Sequence, residues 1–111
     1  LIIKKGEHGA LLFDKEENCF FAPALPLEEV FDPTGAGDTF AGGFIGHLTK
    51  TEDLSFENMK RAIIYGSALA SLTVEKFGTD KISYLKSKEL NDRIERFKAL
   101  VEVEIKQIDK F

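Results

Sequence analysis

The stretch Asp32-Pro33-Thr34-Gly35-Ala36-Gly37-Asp38-Thr39-Phe40-Ala41-Gly42-Gly43 puts four glycines and two carboxylates into twelve residues, between a strand-like segment and a helix-like one. A strand, a glycine-rich turn and a helix N-terminus aim several backbone N–H groups and the positive end of a helix dipole at one point, which suits an anion. Phosphate is the natural candidate. No Lys-Ser/Thr pair follows, so this is not a Walker A loop. Phe40 stands where a dinucleotide fingerprint needs its third glycine. Asp38 would repel a ligand that was merely cradled, so its presence suggests chemistry. A carboxylate there can accept the proton of an attacking alcohol while the amides stabilise charge on a transferring phosphoryl group. A loose transition state, in which the proton leaves late, tolerates so weak a base. The same residues also admit a plain reading, in which Asp38 caps the helix and the glycines make a tight turn.

The elements that would position this loop are legible on both sides. Residues 1–31 are β-rich: Leu1-Ile2-Ile3-Lys4-Lys5, a turn at Gly6-Glu7-His8-Gly9, Ala10-Leu11-Leu12-Phe13, a polar turn from Asp14 to Asn18, then Cys19-Phe20-Phe21-Ala22. Short strands joined by turns predict a meander. Pro23 and Pro26 bracket the loop into the glycine cluster. Beyond Gly37, Ala41, Phe44, Ile45 and Leu48 fall at helical spacing and predict a helix that starts at the loop. Ser55 offers an N-cap to a second helix through Met59, Ile63, Gly66, Ala70, Thr73 and Phe77, with Gly78 as its C-cap. Gly66, Ser67, Ala68, Ala70 and Ser71 make its middle small-sided, open to a neighbouring helix or a ligand. Leu90, Ile94, Phe97 and Val101 predict a third, amphipathic helix. Period-two alternation from Val101 to Ile105 suggests an extended tail.

The 111 residues fit one domain, and their 31% charged content and net charge of −4 offer no basic field for nucleic acid or anionic lipid. No apolar run approaches the ~20 residues that span a bilayer, so neither nucleic acid nor membrane is an expected partner. Leu1-Ile2-Ile3 is already strand-like and no Met precedes it, so the chain reads as beginning inside a larger protein. The lone Cys19 sits in an apolar strand and reads as a buried thiol, consistent with a cytoplasmic setting. His8 and His47 lack partners at metal-ligand spacing and read as surface or capping residues. Glu28-Glu29 and Asp14 to Glu17 read as exposed loop charge. Phe13, Phe20, Phe21, Phe31, Phe40 and Phe44 read as mostly core.

DPTGAGDTFAGGF, Asp32 to Phe44, resembles the C-terminal signature of the ribokinase-like carbohydrate kinases, the PfkB family. Agreement extends to Asp32, Thr34 to Asp38 and Gly42-Gly43 at their spacing, to a G-x-x-G turn at Gly6 and Gly9, and to the small-sided helix ending Thr73 to Gly78. The resemblance implies an α/β fold with a mostly parallel central sheet flanked by helices, residues 1–111 forming its C-terminal ATP-binding segment with a β-meander at the N-terminal side. It implies phosphoryl transfer from ATP to a hydroxyl of a sugar or a nucleoside, with Asp38 as catalytic base and the amides of Gly35, Ala36 and Gly37 as anion hole. Gly6, Gly9, Thr34, Gly35, Gly37, Ala70, Ser71, Phe77 and Gly78 would line the nucleotide site. Mg²⁺ would accompany ATP, and Asp32 matches a ligand position for a monovalent cation such as K⁺. Pro33 stands where many members have Thr, a variant the family also contains. The family's acceptor-binding glycines, lid strands and acidic Mg²⁺ motif lie upstream, so these residues alone are expected to be inactive, and a homodimer is an expectation for the full-length enzyme. A non-catalytic nucleotide-sensing module that kept the loop is the competing reading.

Overall fold

The computed structural model describes residues 1–4, 9–24, 36–73, 87–102 and 107–108. Three strands, β1 (Ile2–Lys4), β2 (Ala10–Phe13) and β3 (Cys19–Ala22), are followed by three helices, α1 (Ala36–Thr51), α2 (Phe56–Leu72) and α3 (Ser87–Val101). The strands form an antiparallel meander in the order β1-β2-β3, with Ile2 opposite Leu12 and Leu12 opposite Phe20. The polar turn between β2 and β3 is built by Asp14, whose Oδ1 accepts from the amides of Glu16 and Asn18 and whose Oδ2 accepts from Asn18 Nδ2 at 2.8 Å. The expected meander is therefore present. The described strands are all antiparallel, and the parallel part of the expected sheet has no strand among the described residues.

Strand side chains alternate between faces. Ile2, Leu12, Phe20 and Ala22 meet the helices and join Phe40, Phe44, Ala62 and Ile63 in one core. Ile3, Leu11, Phe13, Cys19 and Phe21 lie on the opposite face, where Cys19 is exposed and Phe21 is 49% exposed. The expectation of a buried thiol fails because period two, not the apolar character of the run, decides which of four consecutive apolar residues enters this core. Phe21 leaves the expected core for the same reason.

On α1 the buried side is Phe40, Gly43 and Phe44, while Ala41 is exposed and Ile45 is 57% exposed. The expected stripe of Ala41, Phe44, Ile45 and Leu48 thus holds only at Phe44 and the half-buried Leu48. Each residue advances about 100° round the helix, so Ala41 and Ile45 sit on its shoulder. The helix closes with Glu52 in the left-handed region at φ 53°, its amide bonded to the Leu48 carbonyl.

Ser55 caps α2 as expected, its hydroxyl accepting from the Asn58 amide at 3.2 Å. α2 is regular to Leu72, and the expected course through Phe77 to a cap at Gly78 lies outside the described residues. At Thr73 the amide reaches back to the Ala70 and Leu69 carbonyls, and the hydroxyl donates to the Leu69 carbonyl at 3.1 Å. Helix α3 packs on α2 through Phe97 and Arg93; Val101, expected in that core, is 39% exposed. The expected tail falls mostly outside the described residues.

Candidate active site

α1 runs from Ala36, so Asp38 falls in its first turn, at the end where a helix dipole is positive. Asp38 is exposed in that first turn. The structure therefore places a carboxylate on the rim of an anion-attracting helix end.

Two glycines decide how this end is held. A Cβ on Gly43 would lie 2.9 Å from the Gly66 Cα, and one on Gly66 would lie 2.6 Å from the Phe40 carbonyl oxygen. The α1 and α2 backbones touch at this crossing, and no larger residue fits between them. Gly43 has a packing role there, whereas a Cβ on Gly42 would meet nothing within 4 Å. The helices run antiparallel: His47 meets Asn58 and Tyr65, while Gly43 and Phe40 meet Gly66. That register puts the Ser71 and Thr73 end of α2 on the same side of the crossing as the Asp38 end of α1.

Other predicted site residues distribute unevenly. Gly9 adopts φ 101°, and a Cβ there would collide with the Ala22 carbonyl, so this end of the G-x-x-G turn admits only glycine. Ala70 is half-buried against the core. Ser71 is 8% exposed, with its hydroxyl donating to the Ala68 carbonyl at 2.8 Å and accepting from Arg93 Nη1 at 3.0 Å. Gly6, Asp32, Thr34, Gly35, Phe77 and Gly78 lie outside the described residues.

Sequence reasoning missed two polar clusters. Asn58, 3% exposed, donates from Nδ2 to Thr51 Oγ1 (2.7 Å) and to the Asp53 carbonyl (2.8 Å), which turns Oδ1 toward His47 Nε2 at 3.1 Å. The Thr51 hydroxyl donates to the His47 carbonyl, closing the circuit. His47 must therefore carry its proton on Nε2, and its ring packs on Tyr65 at 5.6 Å between centroids. It is a half-buried structural residue and not a solvated cap. The only sequence signal was Asn58 three residues after the cap, at the N3 position of α2. Arg93 is the second: Leu90, Arg93, Ile94 and Phe97 share the i, i+3, i+4, i+7 face, so a cation sits in the apolar stripe. Two carboxyls far from the α1 end lie below the ordinary 3.8: Asp14 through the Asn18 side-chain hydrogen bond, and Asp53 through the Ser55 amide. An open groove of about 470 Å³ runs along α1 and α2 from Gly42, Gly43 and Leu69 past Gly46 and Tyr65 to Lys50.

Residues 1–86 match the family model described as pfkB family carbohydrate kinase. The chain belongs to the pfkB family. It is 32% identical over 98 residues to inositol 3-kinase of Arabidopsis thaliana, covering 88% of this chain and 26% of that relative. To adenosine kinase of Saccharomyces cerevisiae it is 43% identical over 70 residues, covering 58% and 19%. Among solved structures, aminoimidazole riboside kinase from Salmonella enterica, complexed with aminoimidazole riboside and an ATP analog, aligns with a TM-score of 0.67 at 32% identity, over 84% of this chain and 30% of that one. The fold is accordingly the α/β, ribokinase-like fold of pfkB kinases, of which the described residues show a three-stranded sheet and three helices. The chain spans about a quarter of the length of the curated relatives it matches.

Proposed function

We propose that the protein to which these residues belong transfers a phosphoryl group from ATP to a hydroxyl of a sugar or sugar-like acceptor, with residues 1–111 as its C-terminal ATP-binding segment. The observation that carries this reading is Asp38, exposed in the first turn of α1 directly after Ala36 and Gly37, in a chain of the pfkB family.

ATP would supply the phosphoryl group. The helix end fits its phosphates, since unsatisfied amides and the dipole both favour negative charge. Asp38 takes the acceptor's proton as the acceptor oxygen bonds to phosphorus and the bond to the departing ADP oxygen breaks. The amides of Ala36 and Gly37, completed by Gly35, hold the charge that builds on the phosphoryl oxygens. Gly6, Gly9, Thr34, Phe77 and Gly78 would border the nucleotide, with Ala70 and Ser71 shaping the adjoining side of α2. Among the described residues no group of three His, Cys, Asp or Glu could hold a metal. Mg²⁺ would accompany the nucleotide's phosphates, and Asp32 is the position for a monovalent cation. A ribosyl acceptor, as in a nucleoside kinase, is the second reading. It is favoured by relatives named adenosine kinase and nucleoside kinase and by the structural neighbour that holds aminoimidazole riboside.

The test is ADP formation by the full-length protein over a panel of sugars, polyols and nucleosides, with the product identified by phosphorus NMR. Asp38→Asn should lower kcat by about 10²–10⁴-fold with little change in KM for ATP. A near-normal kcat removes Asp38 as the base, and no ADP with any acceptor removes the activity.

A further inference from the structure

Burying a guanidinium in an apolar helix face costs free energy unless its N–H groups are bonded, and a methionine of similar length would fill the space without that cost. Arg93 is nevertheless only 5% exposed, one turn from Phe97 at 2%. Its Nη1 donates to the Ser71 hydroxyl across 22 residues of sequence, and that hydroxyl donates in turn to the Ala68 carbonyl. The chain of bonds runs from α3 into the last turn of α2. The Thr73 amide that follows this turn is shared between the Ala70 and Leu69 carbonyls. The antiparallel register set by the Gly43–Gly66 crossing puts this turn on the same side of the crossing as the first turn of α1, where Asp38 lies.

We infer that Arg93 is a positioning residue for nucleotide binding: it fixes the Ala68–Leu72 turn of α2 against α3, and so holds the wall that flanks the phosphate-binding end of α1. The inference rests on the kinase reading proposed above. Arg93 acts through Ser71 and touches neither substrate. Its loss therefore loosens ATP binding while leaving the acceptor and the base in place.

The experiment uses the full-length protein and four variants, R93M, R93K, S71A and S71A/R93M, measuring kcat, KM for ATP, KM for the acceptor, and Tm. R93M should raise KM for ATP about tenfold, the order expected when a group is displaced without being removed, with kcat and acceptor KM within about twofold of wild type. R93K, which keeps the charge and a donor, should recover most of the loss. S71A should raise KM for ATP as well, and the double variant should be no worse than R93M, since both substitutions break one link. A lowered Tm with unchanged KM for ATP makes Arg93 purely structural and overturns the inference. Additive effects of S71A and R93M, or a parallel rise of both KM values, overturn it equally. If R93M does not fold, S71A and R93K decide by the same criterion. Wild-type protein that forms no ADP and binds no non-hydrolysable ATP analog refutes the kinase reading and this inference with it. An active wild type whose variants keep its KM for ATP refutes the inference alone.

Discussion

Gly66→Ala sets a methyl group where the α1 backbone already stands. The new Cβ would lie 2.6 Å from the Phe40 carbonyl oxygen, 3.2 Å from the Phe44 amide nitrogen and 3.2 Å from Phe40 Cδ2. The first distance is about 0.8 Å short of the 3.4 Å at which ordinary contact begins. The obstructing atoms are mostly main chain inside a helix, so they cannot rotate away, and the whole crossing must open. Overpacking of this kind costs about 1–3 kcal/mol, against a gain of about 1 kcal/mol from replacing a helical glycine with alanine. The net expectation is a loss of about 1 kcal/mol. Gly46→Ala is the control: its Cβ meets nothing within 4 Å, so only the helix-propensity gain of about 1 kcal/mol applies. The two variants should thus differ by about 2 kcal/mol, which separates their urea midpoints by about 1.3 M at an m-value near 1.5 kcal/mol/M. Urea unfolding of this polypeptide, followed by far-ultraviolet circular dichroism, measures the gap. Equal midpoints, or a more stable Gly66→Ala, would refute the close crossing of α1 and α2.

Asn58→Ala should cost about 2–3 kcal/mol, because it deprives buried polar groups of their partners, and nitrogen-15 NMR of the wild type should show His47 as the Nε2–H tautomer when neutral. The Asp14 and Asp53 carboxyls titrate lower in the folded chain than in the unfolded one. The unfolded chain therefore binds more protons as pH falls past the ordinary 3.8, and stability drops with it; the contribution is complete above that value and disappears once pH passes below the folded values. Asp14→Asn should flatten this part of a stability-against-pH curve measured by thermal unfolding, and an unchanged slope would show that the turn bonds to Asn18 do not act in solution.

Local signals read correctly wherever one residue's chemistry settles the outcome. Ser55 caps because a hydroxyl beside a free amide bonds it, Gly9 takes a left-handed turn because it lacks a Cβ, and Asp14 builds the β2–β3 turn with Asn18. The helix start at the glycine loop followed from the change of period after Gly37. Errors arose where the deciding partner is distant in sequence. Cys19 and Phe21 are as apolar as Phe20, and only the packing of one sheet face on the helices sorts them. Gly42 and Gly43 are chemically identical neighbours, yet only Gly43 faces Gly66. Arg93 and Asn58 gave weak signals because a buried polar group is recognisable only beside the groups that satisfy it.

By itself the sequence determined the chemistry on offer at the loop: flexible glycines, amides at a helix start and a carboxylate directly after them, in a pattern specific enough to mark the pfkB family. Those properties reside in residue types and their spacing along one short segment. Tertiary structure alone decided which end of α2 shares a side of the helix crossing with Asp38, since that depends on two glycines 23 residues apart whose backbones meet. It also decided that the Ser71 hydroxyl turns to Arg93, a bond that exists only once α3 is folded against α2.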